Sequence, residues 1–282
     1  AYNLPLGRFQ KPGNWNDADF IIGGDDGMSA AETRSQMALW SMMSAPLILS
    51  SDVGKLSPQS IVVLGNKALI AIDQDALGRM ASLVRRSLTM DLLFKPLSGG
   101  EYAIAALNRG TAPLRVDLRP VDFGFSPNTR CRFEAQDLWS GKHQAGATSM
   151  QADIAAHDTA IWKIHFSASC GAPTRTGAIT MIATGKQRDI KSYSRCLSAS
   201  GGIGDCDGSP AETWTILASG ALESEGRCLA VSGGKLVMQT CAADRTPRWK
   251  YTLAGNLIDT GSRQCLSAGK LNGESGSLSM QA

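Results

Sequence analysis

Three copies of one short pattern occupy the last third of the chain. They are Arg195-Cys196-Leu197-Ser198-Ala199, Arg227-Cys228-Leu229-Ala230-Val231 and Gln264-Cys265-Leu266-Ser267-Ala268. Their cysteines are 32 and then 37 residues apart. A second cysteine closes each of the first two copies, at Cys206 and Cys241, and a tryptophan follows eight residues later in each, at Trp214 and Trp249. A unit of this length cannot bury its apolar face alone, so repeats with one tryptophan each are expected to share a core. The third copy reaches Gln281-Ala282 where its second cysteine is due, so Cys265 is expected to be the odd one of the seven cysteines.

The same cysteines bear on the compartment. Five of the seven fall in the last 87 residues, no Cys-x-x-Cys pair occurs, and His143, His157 and His165 lie elsewhere. A metal site is therefore not expected. Local disulfides suit an oxidising, secreted or extracellular setting. Lys+Arg exceeds Asp+Glu by 28 − 25 = +3, without a basic run. That balance points to neither nucleic acid nor an acidic membrane as partner. The apolar stretches are shorter than the roughly 18 residues of a membrane span. With 282 residues, 43% hydrophobic and 19% charged, the chain can bury cores of its own. Roughly 150 residues per domain predicts two domains or three small ones.

Residues 1–80 read as alternating strand and helix. Asp19-Phe20-Ile21-Ile22-Gly23 and Pro46-Leu47-Ile48-Leu49 are short apolar runs of the kind that buried strands show. Ser29-Ala30-Ala31-Glu32 is a capping box, in which the Ser side chain takes a free backbone N–H and the Glu returns the bond. Met37, Trp40, Ser41 and Ser44 follow at helical spacing. Ser57-Pro58 opens a second helix with an expected stripe of Ile61, Leu64, Ala68 and Ile72. Residues 81–168 change to short runs such as 102–107, 114–118, 130–134 and 160–164, with turn signals between them. They are expected to form an antiparallel β-sandwich. Residues 169–178 read as a linker and 179–282 as the repeat domain. Residue 1 is Ala, and the chain is expected to be a piece of a longer protein.

Gly13-Asn14-Trp15-Asn16-Asp17-Ala18-Asp19 concentrates the chemistry. A sugar site wants an aromatic face for C–H groups and carboxylates for hydroxyl protons. The alternative is a loop whose Asp and Asn make local turn bonds. From this segment on, residues 11–110 resemble the C-terminal part of the catalytic domain of glycoside hydrolase family 27, the α-galactosidases or melibiases. The likeness runs through residues 13–19, Leu39-Trp40-Ser41-Met42-Met43-Ser44-Ala45-Pro46-Leu47, Leu56-Ser57-Pro58, Asn66-Lys67, Ile70-Ala71-Ile72-Asp73-Gln74-Asp75, Leu77-Gly78 and Leu107-Asn108-Arg109. The resemblance implies the end of a (β/α)8 barrel followed by a β-sandwich, and removal of terminal α-galactose with retention by two aspartates. A retaining pair stands about 5–5.5 Å apart. In the family both aspartates precede the Trp-Asn-Asp segment, so no catalytic residue is assigned in this chain. The resemblance places Asp19 in the galactose pocket, with Asp17 and Trp15 beside it. It implies no cofactor. Asp52 and Asp73 are expected to be caps and supporting structure.

Residues 177–282 resemble a ricin-B-type β-trefoil, the family 13 carbohydrate-binding modules. The resemblance implies bridges Cys196–Cys206 and Cys228–Cys241, each worth on the order of 2–4 kcal/mol. It implies tryptophans in the shared core rather than under a sugar. The family's pocket Asp is replaced by Ser198, Ala230 and Ser267, and the aromatic position by Gly204, Gln239 and Gln281. Cys131 either pairs with Cys170 or stays a buried thiol. The expected architecture is thus multidomain: a C-terminal fragment of a (β/α)8 barrel, an antiparallel β-sandwich and an incomplete β-trefoil. The expected partner is a galactoside or a galactose-containing polysaccharide. A non-catalytic lectin is the rival, and β-L-arabinopyranose or α-N-acetylgalactosamine the rival sugars.

Overall fold

The capping box starts the longest helix as its chemistry requires. Ser29 Oγ accepts the Glu32 N–H at 3.2 Å, Glu32 Oε2 accepts the Ser29 N–H at 2.8 Å, and α1 runs Ala30–Met43. The computed structural model describes residues 4–24, 27–126, 129–180, 195–241, 249–251, 257–272 and 275–281. The chain divides into two units. One comprises Leu6–Leu83 with Thr89–Gly171, and the other gathers Val84–Leu88 with Ala172–Ala282.

In the first unit, α1 ends at Ser44, whose backbone is left-handed at φ 45°. Ser57 caps α2 (Pro58–Leu64) and Asn66 caps α3 (Lys67–Asp73). The sequence stripe predicted one helix here, and the structure forms two. Gly65 closes α2, and Asn66 Oδ1 takes the N–H groups of Ala68 and Leu69 at 3.0 and 3.2 Å, which starts a new helix. Of the expected stripe only Ile72 is buried; Leu64 and Ala68 are half-buried and Ile61 is exposed, while Leu69, outside the stripe, is buried. The two apolar runs 19–23 and 46–49 meet in a single parallel bridge, Ile21 to Leu49. Ile21 N–H donates to Ile48 O at 2.8 Å, and Ser50 N–H donates to Ile21 O at 3.0 Å. Phe20, Ile22 and Ile48 around that bridge are 53%, 46% and 49% exposed, although such strands normally bury both faces.

β1 (Ser82–Arg86) precedes the sandwich strands β2 (Met90–Pro96), β3 (Tyr102–Asn108), β4 (Leu114–Leu118), β5 (Phe133–Asp137), β6 (His143–Ala147), β7 (Met150–Ile154) and β8 (Thr159–Phe166). β2-β3-β8-β5-β6 pair antiparallel in that order, and β4 pairs with β7. Leu92, Ile104, Leu118, Phe133, Met150 and Ile161 are fully buried between them. Phe125 and Phe166 rings lie 4.1 Å apart at one end. Of the two states open to Cys131, the structure has the disulfide with Cys170. Asn108 shows why an amide stands at the end of β3. It is fully buried, donates to Ala112 O, Ile154 O and Ala155 O, and accepts from Gly110 N–H. Helix α1 packs on this sheet: Arg34 pairs with Asp158, and Ser35 Oγ donates to His157 O at 2.6 Å. Among the described residues, no helix is long and apolar enough to cross a membrane.

The second unit is built of short antiparallel strands. They are β9 (Arg175–Ala178), β10 (Arg195–Ser198), β11 (Gly202–Asp205), β12 (Thr213–Ile216), β13 (Leu222–Ser224), β14 (Arg227–Ser232), β15 (Lys235–Thr240), β16 (Trp249–Tyr251), β17 (Leu257–Asp259), β18 (Cys265–Asn272) and β19 (Ser275–Gln281). They form two sheets, β10-β11-β19-β18-β17-β16 and β15-β14-β13-β12-β9. Within 169–178, read from sequence as a linker, β9 pairs with β12, Gly177 lying opposite Trp214. Cys196–Cys206 and Cys228–Cys241 are bonded, and Cys265 carries a free thiol. The repeat logic is visible in the core. Leu197, Trp214, Leu222, Leu229 and Trp249 pack together, with Leu266, Leu278 and Met280 of the third copy against them. Trp214 Nε1 donates to Leu197 O at 2.8 Å, and Trp249 Nε1 to Leu229 O at 2.9 Å. Each tryptophan thus binds the carbonyl next to its own repeat's first cysteine, which satisfies the one polar atom a buried indole carries.

Trp214→Phe keeps a buried ring but loses that bond, and is expected to cost about 1 kcal/mol. Trp214→Ala is expected to cost about 3–5 kcal/mol through the cavity it leaves. Urea midpoints of the two variants, read by near-ultraviolet circular dichroism, check the order.

Candidate functional site

The 15–19 loop leaves a tight turn and is fastened at both ends to the last turn of α1. Lys11 and Asn14 exchange backbone bonds of 3.1 and 2.8 Å, with Gly13 at φ 84° between them. Gln10 is buried beneath. Its Nε2 donates to Met43 O at 2.8 Å, and its Oε1 accepts from Asn16 N–H at 3.2 Å and from Asn16 Nδ2 at 3.1 Å. Asn16 Nδ2 also reaches Leu6 O at 3.0 Å. At the far end Trp40 Nε1 donates to Asp19 O at 2.9 Å.

Asp17, Asp19 and Trp15 are all exposed. Asp17 Oδ1 accepts the Asp19 N–H at 2.8 Å, which is a local turn bond. Asp19 stands in the left-handed region at φ 73°, a conformation that Asp tolerates better than most residues. Its Oδ1 accepts the Phe20 N–H at 2.8 Å. Trp15 lies over Gly78. A Cβ added there would come within 2.7 Å of the indole ring, and Gly78 itself has φ 56°. Glycine is therefore required beneath Trp15. The structure brings the three residues together on one loop, where the carboxylates make local turn bonds and remain at the surface. Asp52 caps a 3-10 turn through Gly54 N–H at 3.0 Å and pairs with Lys55 at 3.2 Å.

Behind the loop is a buried charge cluster that the sequence reading passed over, apart from naming Asp73 as support. Lys95 on β2 is fully buried, and its Nζ donates to Ser41 O, Ser44 Oγ and Ile72 O, each at 2.7 Å. Burial pulls the Lys95 ammonium down to about 8, against the pull of Asp73 and Asp75. Burial pushes Asp73 up to about 7, opposed by Lys95, and among the described residues Asp73 Oδ1 has no hydrogen-bond partner. Asp75 binds the Ser98 N–H and hydroxyl and Leu77 N–H, which together hold it below the usual carboxylate range despite its partial burial. The signal in the sequence was the alternation Leu93-x-Lys95-x-Leu97, a cation between two core positions on one strand face.

Three family models match successive segments of the chain. Residues 6–75 match the family model of "Alpha galactosidase A", residues 88–164 that of "Alpha galactosidase C-terminal beta sandwich domain", and residues 175–282 that of "Ricin-type beta-trefoil lectin domain". An α-galactosidase A of Aspergillus niger is 34% identical over 275 residues, covering 96% of this chain and 49% of that protein. An α-N-acetylgalactosaminidase of Gallus gallus is 36% identical over 143 residues, covering 50% of this chain and 35% of that one. The crystal structure of α-galactosidase I from Mortierella vinacea shares the fold, with a TM-score of 0.56, 23% identity and coverage of 60% of this chain and 44% of its own. The three segments define the class, a glycoside hydrolase scaffold joined to a ricin-type trefoil. By these matches residues 6–75 and 88–164 fall in the melibiase family and residues 175–282 in the ricin-type β-trefoil lectin family. The chain spans about half the length of the curated relatives it matches, 49% of the Aspergillus niger protein.

The Asp73 environment has a pH consequence. A carboxyl whose folded pKa is raised to about 7 supports the fold fully below its unfolded value, and that support is lost as pH rises through about 7. Asp73→Asn removes the titration. The variant is expected to melt above the unsubstituted chain at pH 8, with the gap closing as pH falls toward 4. Melting temperature against pH for the two proteins is the measurement.

Proposed function

We propose that this chain is part of an α-galactosidase-like retaining glycosidase, and that its 15–19 loop forms one wall of the galactose pocket. The observation that carries the reading is the loop itself. Within the segment that matches the α-galactosidase model, an exposed Trp15 and the exposed carboxylates of Asp17 and Asp19 stand together. They are held by Gln10, Asn16 and Trp40 rather than left to a flexible tip. Trp15 offers an apolar face to the C–H side of a sugar, and Asp19 an acceptor for a hydroxyl. The nucleophile and the acid/base belong to a segment outside these 282 residues. The exposed apolar residues Phe20, Ile22 and Ile48 around the Ile21–Leu49 bridge support this, because further barrel strands would cover them.

The substrate is a terminal α-galactoside, free or on a polysaccharide, and the three disulfides suit an extracellular enzyme. The likeness to the Gallus gallus enzyme keeps an N-acetylgalactosaminide as the second sugar to test. A lectin role for the trefoil has less support. Its two tryptophans are spent on the core, and Ser198, Ala230 and Ser267 stand at the sugar-binding Asp positions.

The chain alone is expected to show no turnover of an aryl α-galactoside above buffer. Turnover would locate the reactive carboxylates here and overturn the assignment. In the longer protein that contains this chain, cleavage with retention is expected. There Asp19→Asn is expected to lower kcat/KM about 10–100-fold, the range of one charged hydrogen bond.

A further inference from the structure

We propose that Lys95, a residue of the β-sandwich, positions the galactoside-facing 15–19 loop by fixing the last turn of α1. The proposal rests on the reading of that loop given above and assigns its support. The ammonium has three protons, and three acceptors take them: Ser41 O in the last turn of α1, Ser44 Oγ at its cap, and Ile72 O in the last turn of α3, all at 2.7 Å. Helix C-termini expose unpaired carbonyls and carry partial negative charge, so one buried cation serves both ends. Ser44 Oγ passes the bond on to Asp73 O at 2.7 Å, which ties the two helix ends to each other. This network holds Ser44 in its left-handed conformation, where the chain turns from α1 into the Ala45-Pro46 run.

The opposite side of the same helix turn carries the loop. Met43 O receives Gln10 Nε2 at 2.8 Å, and Gln10 Oε1 receives both Asn16 donors. Trp40, three residues earlier in that turn, donates to Asp19 O at 2.9 Å. Both ends of the loop therefore hang on residues 40–43, and Lys95 decides where those residues sit. The titratable groups facing Lys95 are Asp73 at the end of α3 and Asp75 just beyond it. A neutral amine has two protons and leaves one of the three acceptors unserved. Lys95 is a positioning residue, since it touches neither sugar nor reacting atoms.

The test is amide hydrogen–deuterium exchange on the full chain, read at residues 16–20, with β3 as the internal control for an intact sandwich. Lys95→Met is expected to speed loop exchange about tenfold or more while β3 stays protected. Gln10→Leu, which cuts the relay with Lys95 in place, is expected to do the same. The double variant is expected to be no faster than either single one. Loop exchange at the unsubstituted rate in Lys95→Met with β3 protected overturns the proposal, as does full multiplication of the two effects. If Lys95→Met fails to fold, the unsubstituted chain decides: corrected for intrinsic exchange, loop protection is expected to fall as pH rises through about 8, and flat protection overturns the relay.

The sugar reading is separated by kinetics in the longer enzyme. There Lys95→Met is expected to raise KM for an aryl α-galactoside about tenfold, with a smaller change in kcat. A loosened loop with an unchanged KM overturns the assignment of the loop to the substrate and leaves the relay standing.

Discussion

The last turn of α1 is the point on which the first unit depends. A helix end buried among other elements has carbonyls to satisfy, and here they are met from two sides. Lys95 enters from the sandwich, and Gln10 from the segment before the 15–19 loop. The same helix is anchored at its beginning by the capping box and along its side by Arg34 with Asp158. A cation with three short bonds in a buried site costs desolvation, which its acceptors offset. In return it ties the ends of α1 and α3 to a strand of the sandwich. This is a physical reason for residues 6–83 and the sandwich to form one unit rather than two.

The trefoil unit solves a different problem. Its strands are three to eight residues long, and single hairpins of that size do not hold themselves together. Stability comes from a core to which every repeat contributes. Leu197, Leu229 and Leu266 follow the three repeat cysteines directly, and all belong to that core. The indoles of Trp214 and Trp249 fill the centre and return their N–H to the repeats they came from. The disulfides then join cysteines 10 and 13 positions apart in the sequence. The tryptophans are committed to packing, so any sugar contact in this unit would have to come from other side chains.

Much of this was legible because local chemistry names its own partners. Ser29 with Glu32, Ser57 with Pro58, and the Cys-Leu copies each specify a structure within a few residues of themselves. The family likeness added which loop to look at, and the fold placed Trp15, Asp17 and Asp19 on one surface loop. The break between α2 and α3 was missed because the apolar stripe runs across it, while Asn66 starts a second helix with its own side chain and reaches Leu138 O with its amide. The strand at Arg175–Ala178 was missed because Gly-Ala-Pro-Thr composition reads as linker, and only its pairing with β12 makes it a strand.

By itself the sequence determined the starts of α1 and α2, several of the sandwich strands and a core shared among the repeats, and the family likeness added the pairing of two cysteine couples. All of these rest on contacts between near neighbours or on a repeat that announces itself. The tertiary structure alone decided that Cys131 meets Cys170, that Gly78 lies under Trp15, and that Lys95 reaches across more than fifty residues to Ser41. Those meetings depend on how whole elements pack. A buried charge carries no local mark of which distant carbonyls will surround it.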